Sequence, residues 1–215
     1  MRKTEFANGE HYHIFNRGVE KRDVFLNDFD YMRFLQSLAE FNRTDPIGSI
    51  FEQSFRKKED LLGNEVSKLV EIIAYCLNPN HYHLILKQLE DKGIEKFMHK
   101  MGVGYSKYFN HKYKRSGVLF QGVFKSKHIA TNEYLLHLSS YVNCNSEIHG
   151  ICKAENYKWC SFPDYINKRT GNLLGESLKK DIVIDQFRSV KEYKEFAKIN
   201  AKEMKRRKDE EEFEL

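Results

Sequence analysis

No apolar run in the 215-residue chain approaches the roughly 20 residues needed to span a bilayer. The first residues, Met1 to Phe6, also lack the apolar stretch of a secretory signal, so a cytoplasmic protein is expected. None of the four cysteines (Cys76, Cys144, Cys152, Cys160) forms a Cys-x-x-Cys pair. Reduced thiols are therefore expected, and a zinc site from Cys144, His149, Cys152 and Cys160 is disfavoured by its spacing. Internal repeats and low-complexity tracts are missing as well. What is present, 40% hydrophobic and 31% charged residues, fits one compact domain plus an extension and not a disordered chain.

One absence is local. Between Lys96 and Lys127 there is no Asp or Glu, while Lys96, Lys100, Lys107, Lys112, Lys114, Arg115, Lys125 and Lys127 all fall there. Phe97, Tyr105, Tyr108, Phe109, Tyr113, Phe120 and Phe124 are interleaved with them. Basic side chains neutralise phosphates and aromatic faces stack on unpaired bases, which suits single-stranded nucleic acid. The competing reading is a solvated basic face whose aromatics point into the core.

Turn signals and hydrophobic periods divide the chain into elements. Residues 10–19 read as a strand ending at Asn16-Arg17-Gly18. A helix capped by Asn27 or Asp28 follows, with Tyr31, Phe34, Leu35 and Leu38 at helical spacing. Residues 71–76 and 81–87 form a hairpin around Asn78-Pro79-Asn80. A helix over 94–113, interrupted near Gly102 and Gly104, leads to a strand over 117–129 and a helix from Thr131 or Asn132 to before Gly150. The order predicts an α+β fold, a ferredoxin-like split βαβ two-layer sandwich with helices on one face of an antiparallel sheet. Residues 1–165 would form this domain, with an insertion at about 44–67, and 166–215 a charged, mainly helical C-terminal extension.

Two features could carry chemistry. His81 and His83 project from the same face of a strand, about 7 Å apart at a rise of ~3.3 Å per residue, and can converge on one cation. The spacing alone is a weak signal, since His11-Tyr12-His13 repeats it. Tyr141 and Asn145 stand one helical turn apart and can approach one site. Read without other support, they are a core aromatic and a residue near a helix end.

Context separates the two histidine pairs. The run Asn78-Pro79-Asn80-His81-Tyr82-His83-Leu84-Ile85-Leu86 resembles the metal-binding strand of the HUH single-strand nucleases, above all the REP-associated tyrosine transposases and their insertion-sequence relatives. His13 to Gly18 is similar to that family's first strand. Tyr108-Phe109-Asn110 and Arg115 to Gly122 match its basic-aromatic segment, Tyr134 to Leu136 and Tyr141 to Asn145 its catalytic helix, and Tyr157 to Ser161 its closing motif. These matches cover roughly residues 10–165 in order.

The resemblance implies a single-strand DNA endonuclease and transposase. Tyr141 would be the nucleophile, forming a 5′-phosphotyrosine link. His81, His83 and Asn145 would hold a divalent cation, Mg²⁺ or Mn²⁺. The partner would be single-stranded DNA carrying a hairpin, no membrane is implied, and a homodimer is compatible with the sequence. Arg17, Tyr108, Arg115, Gln121, Lys125 and Lys127 are the candidate DNA contacts. The chain departs from relatives in having Asn143-Cys144-Asn145-Ser146 where they often carry His-x-Asn-Pro, which puts a role for Asn143 in proton transfer or base contact in doubt. An inactive module of the same fold that binds single strands, and an unrelated metal-dependent hydrolase using water, are the alternatives.

Overall fold

A computed structural model describes residues 4–45, 48, 50, 67–169, 171 and 173–213. The expected insertion at 44–67 lies largely outside the described residues. Strands β1 (His11–Arg17), β2 (Val70–Asn78), β3 (His81–Gln88) and β4 (Lys125–Ile129) form one antiparallel sheet in the order β2-β3-β1-β4. Helix α1 (Asp28–Glu40) joins β1 to β2, and α2 (Gly93–Lys112) joins β3 to β4. This is the ferredoxin-like α+β arrangement.

Register assigns each side chain to a face. His13 pairs with Ile85, Phe15 with His83 and Arg17 with His81, so these residues and Lys125 and Lys127 share one face of the sheet. Tyr12, Ile14, Tyr82, Leu84 and Leu86 share the other, which is buried under α1 and α2. Phe34 of α1 packs on Tyr82, and Tyr105 of α2 meets Phe34 edge-on. Leu35, Leu38, Phe97, Met101 and Phe109 complete that core. The split βαβ core is thus the expected two-layer sandwich, and the elements after β4 add a further layer on the face carrying the histidines.

That layer is α3 (Asn132–Asn143), started by Thr131, whose Oγ1 accepts from the backbone N–H of Tyr134 at 3.2 Å. The short helices α4 (Asn145–Ile148), α5 (Phe162–Tyr165) and α6 (Asp181–Ile184) follow. The long α7 (Val190–Phe213) buries Tyr193, Ala197 and Ala201, spaced four apart, against α3 and α4. On its exposed side Arg206 pairs with Glu210 and Arg207 with Glu203, as the charge spacing of the tail suggests. The residues read as a closing motif cover the outer edge of β2: the Leu77 N–H donates to Trp159 O and the Ser161 N–H to Tyr75 O, both at 2.9 Å.

Three local expectations need correction. Helix α2 is not interrupted at Gly102 or Gly104. A Cβ on Gly104 would lie 2.6 Å from the ring of Phe41, so this glycine serves close helix packing instead of breaking the helix. The strand expected over 117–129 is ordered as β4 only from Lys125. Before it Phe120 makes a single bridge to Gly18, then Gly122 turns the chain at φ +70° and the ladder is lost. The helix expected to run to Gly150 breaks at Cys144, so Asn145 begins α4 instead of continuing the turn that carries Tyr141.

Candidate active site

The two-residue turn between β2 and β3 assembles the first half of the site. Its backbone is anchored from outside: the N–H groups of Val24 and Phe25 donate to Pro79 O at 2.8 and 3.0 Å, and that of Gly18 to Asn80 O at 2.8 Å. Asn80 Nδ2 donates to Lys21 O, which leaves Asn80 Oδ1 facing His81 Nδ1 at 2.6 Å. An amide oxygen only accepts, so the His81 proton sits on Nδ1 and Nε2 keeps its lone pair. That Nε2 lies 2.9 Å from Asn78 Nδ2 and 3.2 Å from Asn145 Oδ1. Asn78 Nδ2 also donates to Asn145 Oδ1 at 2.6 Å, tying the strand end to α4.

His83 stands two residues on, its ring nearly perpendicular to that of His81 with centroids 5.2 Å apart. Its Nδ1 lies 2.8 Å from Nε2 of His13 on the neighbouring strand. The ring of Tyr141, projecting from α3, meets His83 edge-on at 5.3 Å. His149, just past α4, lies 5.0 Å from His81. Two clefts open here. A smaller one of about 290 Å³ runs past Asn16, Arg17, Gln121 and His149, and a larger one of about 1090 Å³ lies between α3 and β4. They share Phe15, His83, Lys125 and Tyr141.

Burial governs the electrostatics. Desolvation pushes the pKa of His81 down to about 4, helped by the neighbouring His149, and that of His13 to about 4, helped by Lys127. The pKa of His83 is lowered well below the ordinary value by burial and then by the surrounding His13 and His81. All three imidazoles are neutral near pH 7. The Tyr141 phenol is shifted upward by burial, and the Asn145 amide beside it partly offsets that shift.

The donor set fits a divalent cation. Neutral imidazoles do not have to lose a proton to bind one. His81 Nε2 and Asn145 Oδ1 are two lone-pair atoms 3.2 Å apart, close to the ~3 Å between adjacent ligands at bond lengths of about 2.1 Å. Asn78 Nδ2 reaches both of these atoms, at 2.9 and 2.6 Å, so a cation held there would take the place of that amide N–H. Among the described residues no cluster of three or more His, Cys, Asp or Glu has a cation-binding arrangement. The ligands would all be neutral, leaving the cation's charge for an anionic substrate.

The structure brings together His81, His83, Tyr141 and Asn145, with Arg17 and Gln121 lining the smaller cleft and Lys125 and Lys127 the larger one. Tyr108 and Arg115 are elsewhere. Tyr108 lies on α2, across the sheet, where its hydroxyl donates to Asp30 at 3.0 Å. Arg115 donates to Asn110 Oδ1 at 2.7 Å. Phe97, Tyr105, Phe109 and Phe120 are core residues. Asn143 faces away from the clefts: it is fully buried, donates to Tyr193 Oη at 2.7 Å and accepts from Ser161 Oγ at 2.5 Å. Sequence gives no place in this site to His13, read as a repeat of the His-x-His spacing within the first strand, to His149, read only in a disfavoured zinc set, or to Asn78 and Asn80. The asparagines flanking Pro79 read as turn residues, and only the register places His13 beside His83.

No curated protein matches the chain. A solved structure of a REP-associated tyrosine transposase bound to a REP hairpin shares the fold at a TM-score of 0.53 and 13% identity, over 80% of this chain and 92% of that one. Residues 50–145 match the sequence model of the family described as "Transposase IS200 like". That segment, a little under half of the chain, holds His81, His83, Tyr141 and Asn145, and it is in this segment that the chain is similar to the IS200-like transposases.

Proposed function

We propose that this protein cleaves and rejoins single-stranded DNA next to a hairpin, with Tyr141 as nucleophile, as a step in DNA transposition or the processing of repeat hairpins. The observation that supports it most is the position of Tyr141, beside His83 of its own chain where the two clefts meet. An unpaired strand entering along the larger cleft would meet Lys127, then Lys125 and Phe15, and leave past Arg17 and Gln121. Its scissile phosphate would then lie at the junction. Lysines that neutralise phosphates and an aromatic ring for a base are the pairing that single strands require.

In the reaction Tyr141 Oη attacks the phosphorus and the bond to the 3′-oxygen breaks. The phenol gives up a proton and the departing 3′-oxygen gains one, leaving a 5′-phosphotyrosine and a free 3′-hydroxyl. Attack by another 3′-hydroxyl reverses the step and joins strands without an external energy source. A Mg²⁺ or Mn²⁺ ion held by His81, His83 and Asn145 would polarise the phosphate and stabilise the charge that develops on it. Two nitrogen donors favour Mn²⁺ by softness. The position of Tyr141 beside its own chain's His83 supports action in cis.

The upward shift of the Tyr141 pKa gives some weight to a second reading, a module of the same fold that grips single strands without cutting. Incubation with Mn²⁺ and labelled single-stranded oligonucleotides, hairpins included, separates the two on a denaturing gel. A slow-migrating covalent adduct, absent in Tyr141→Phe and His83→Ala, is expected. Salt-sensitive retention of DNA without an adduct would replace the nuclease by the binding module, and cleavage without an adduct would point to water as nucleophile.

A further inference from the structure

By spacing alone, His11-Tyr12-His13 and His81-Tyr82-His83 are indistinguishable. The sheet register distinguishes them. His13 sits on β1 opposite Ile85, on the same face as His83, and its Nε2 lies 2.8 Å from His83 Nδ1. Both side chains are less than a tenth exposed, and the two rings are nearly parallel with centroids 5.0 Å apart. His13 also meets the edge of the Tyr141 ring at 6.1 Å.

A neutral imidazole has one N–H, so this contact admits two arrangements with opposite consequences. If His83 Nδ1–H donates, Nε2 keeps its lone pair on a ring that lines both clefts. If His13 Nε2–H donates, the His83 proton moves to Nε2 and that nitrogen cannot ligate. His81 has its own fixed partner, since Asn80 Oδ1 can only accept from its Nδ1.

We propose that His13 is a positioning residue: its Nε2 accepts from His83 Nδ1–H, holding His83 in the tautomer and orientation that leave Nε2 as a donor. Asn80 does the same for His81. The functional meaning rests on the cation reading proposed above, but the tautomer itself does not. Second partners of this kind fix ring orientation, and their loss typically costs about 10- to 100-fold in metal affinity.

Two measurements on the full chain test this. Long-range ¹H–¹⁵N correlation spectra of the metal-free, histidine-labelled protein report which nitrogen of His83 carries the proton. Protonated Nδ1 and unprotonated Nε2 are expected; the reverse overturns the proposal. Calorimetric titration with Mn²⁺ should then show affinity about 10- to 100-fold weaker in His13→Ala. His13→Gln, whose Oε1 can accept, should recover most of it. If His13→Ala folds and binds Mn²⁺ as tightly as the parent, the positioning role is refuted. If it does not fold, the spectrum of the unaltered protein and the affinity of His13→Gln still decide. A parent protein with the expected tautomer that binds no Mn²⁺ would defeat the cation reading and leave the His13–His83 pair standing.

Discussion

The hydroxyl of Tyr193 links the C-terminal helix to the helix that carries Tyr141, and its removal makes a quantitative test. Tyr193 is fully buried, and its Oη accepts from Asn143 Nδ2 at 2.7 Å and lies 3.3 Å from Ser139 Oγ. Ser139 keeps a bond to Leu136 O at 2.7 Å, so it loses little. Asn143 Nδ2 would be left buried and unpaired in Tyr193→Phe, which costs about 1–3 kcal/mol. In a chain of this size each kcal/mol lowers the melting midpoint by about 2–4 °C, so a fall of about 2–12 °C is expected by calorimetry or dye fluorescence. Asn143→Ala breaks the same bond, so the double variant should lose clearly less than the sum of the singles. Neither side chain lines a cleft, so adduct formation well below the midpoint should persist in Tyr193→Phe. An unchanged midpoint, or fully additive losses, would refute the assignment of this bond as the link between α7 and α3.

Other expectations follow from the site. Because the proposed cation ligands His81, His83 and Asn145 are neutral, Mn²⁺ should bind more tightly when single-stranded DNA is present, and the DNA more tightly with Mn²⁺, by the same factor; equal affinities in paired titrations would contradict this. Lys125→Ala and Lys127→Ala should each reduce the slope of log affinity against log salt for a single strand by about 0.7, whereas Tyr108→Phe should leave it unchanged. With folded-state pKa values of about 4 against about 6.5 in the unfolded chain, His13 and His81 bind fewer protons when folded. Stability of the metal-free protein should therefore fall as pH drops from about 6.5 towards 4, and urea midpoints should fall less steeply across that window in His13→Gln.

Much of the fold was legible because its signals are local. The paired strands around Asn78-Pro79-Asn80, the period of Tyr31, Phe34, Leu35 and Leu38, and the cap at Thr131 each follow from neighbouring residues. Features that depend on distant contacts were not. Gly104 reads as a helix breaker until Phe41 is seen against it. The stretch 117–129 alternates like a strand, but only its last five residues form a ladder with β1. The basic-aromatic segment divides three ways: core aromatics such as Phe97 and Tyr105, lysines on β4 facing the clefts, and residues such as Tyr108, Lys112 and Arg115 that bond away from the site. Composition records all three without saying which side of the sheet each occupies. Likewise His13 carries no mark in the sequence that sets it apart from His11; the difference is one pleat.

The position of β1 also bears on how the chain is made. It lies between β3 and β4, pairing His11 with Lys87 on one side and with Ile129 on the other. During synthesis it leaves the ribosome before the other three strands of the sheet, yet its first partner follows about 70 residues later. At roughly 5–20 residues per second that is a wait of roughly 4–15 s, with Tyr12 and Ile14 uncovered. Folding dominated by such distant pairings is slow and open to aggregation meanwhile. The segment that matches the family model, 50–145, omits β1. Expressed alone, that piece would have β3 and β4 with an empty lane between them and His83 without its neighbour on β1.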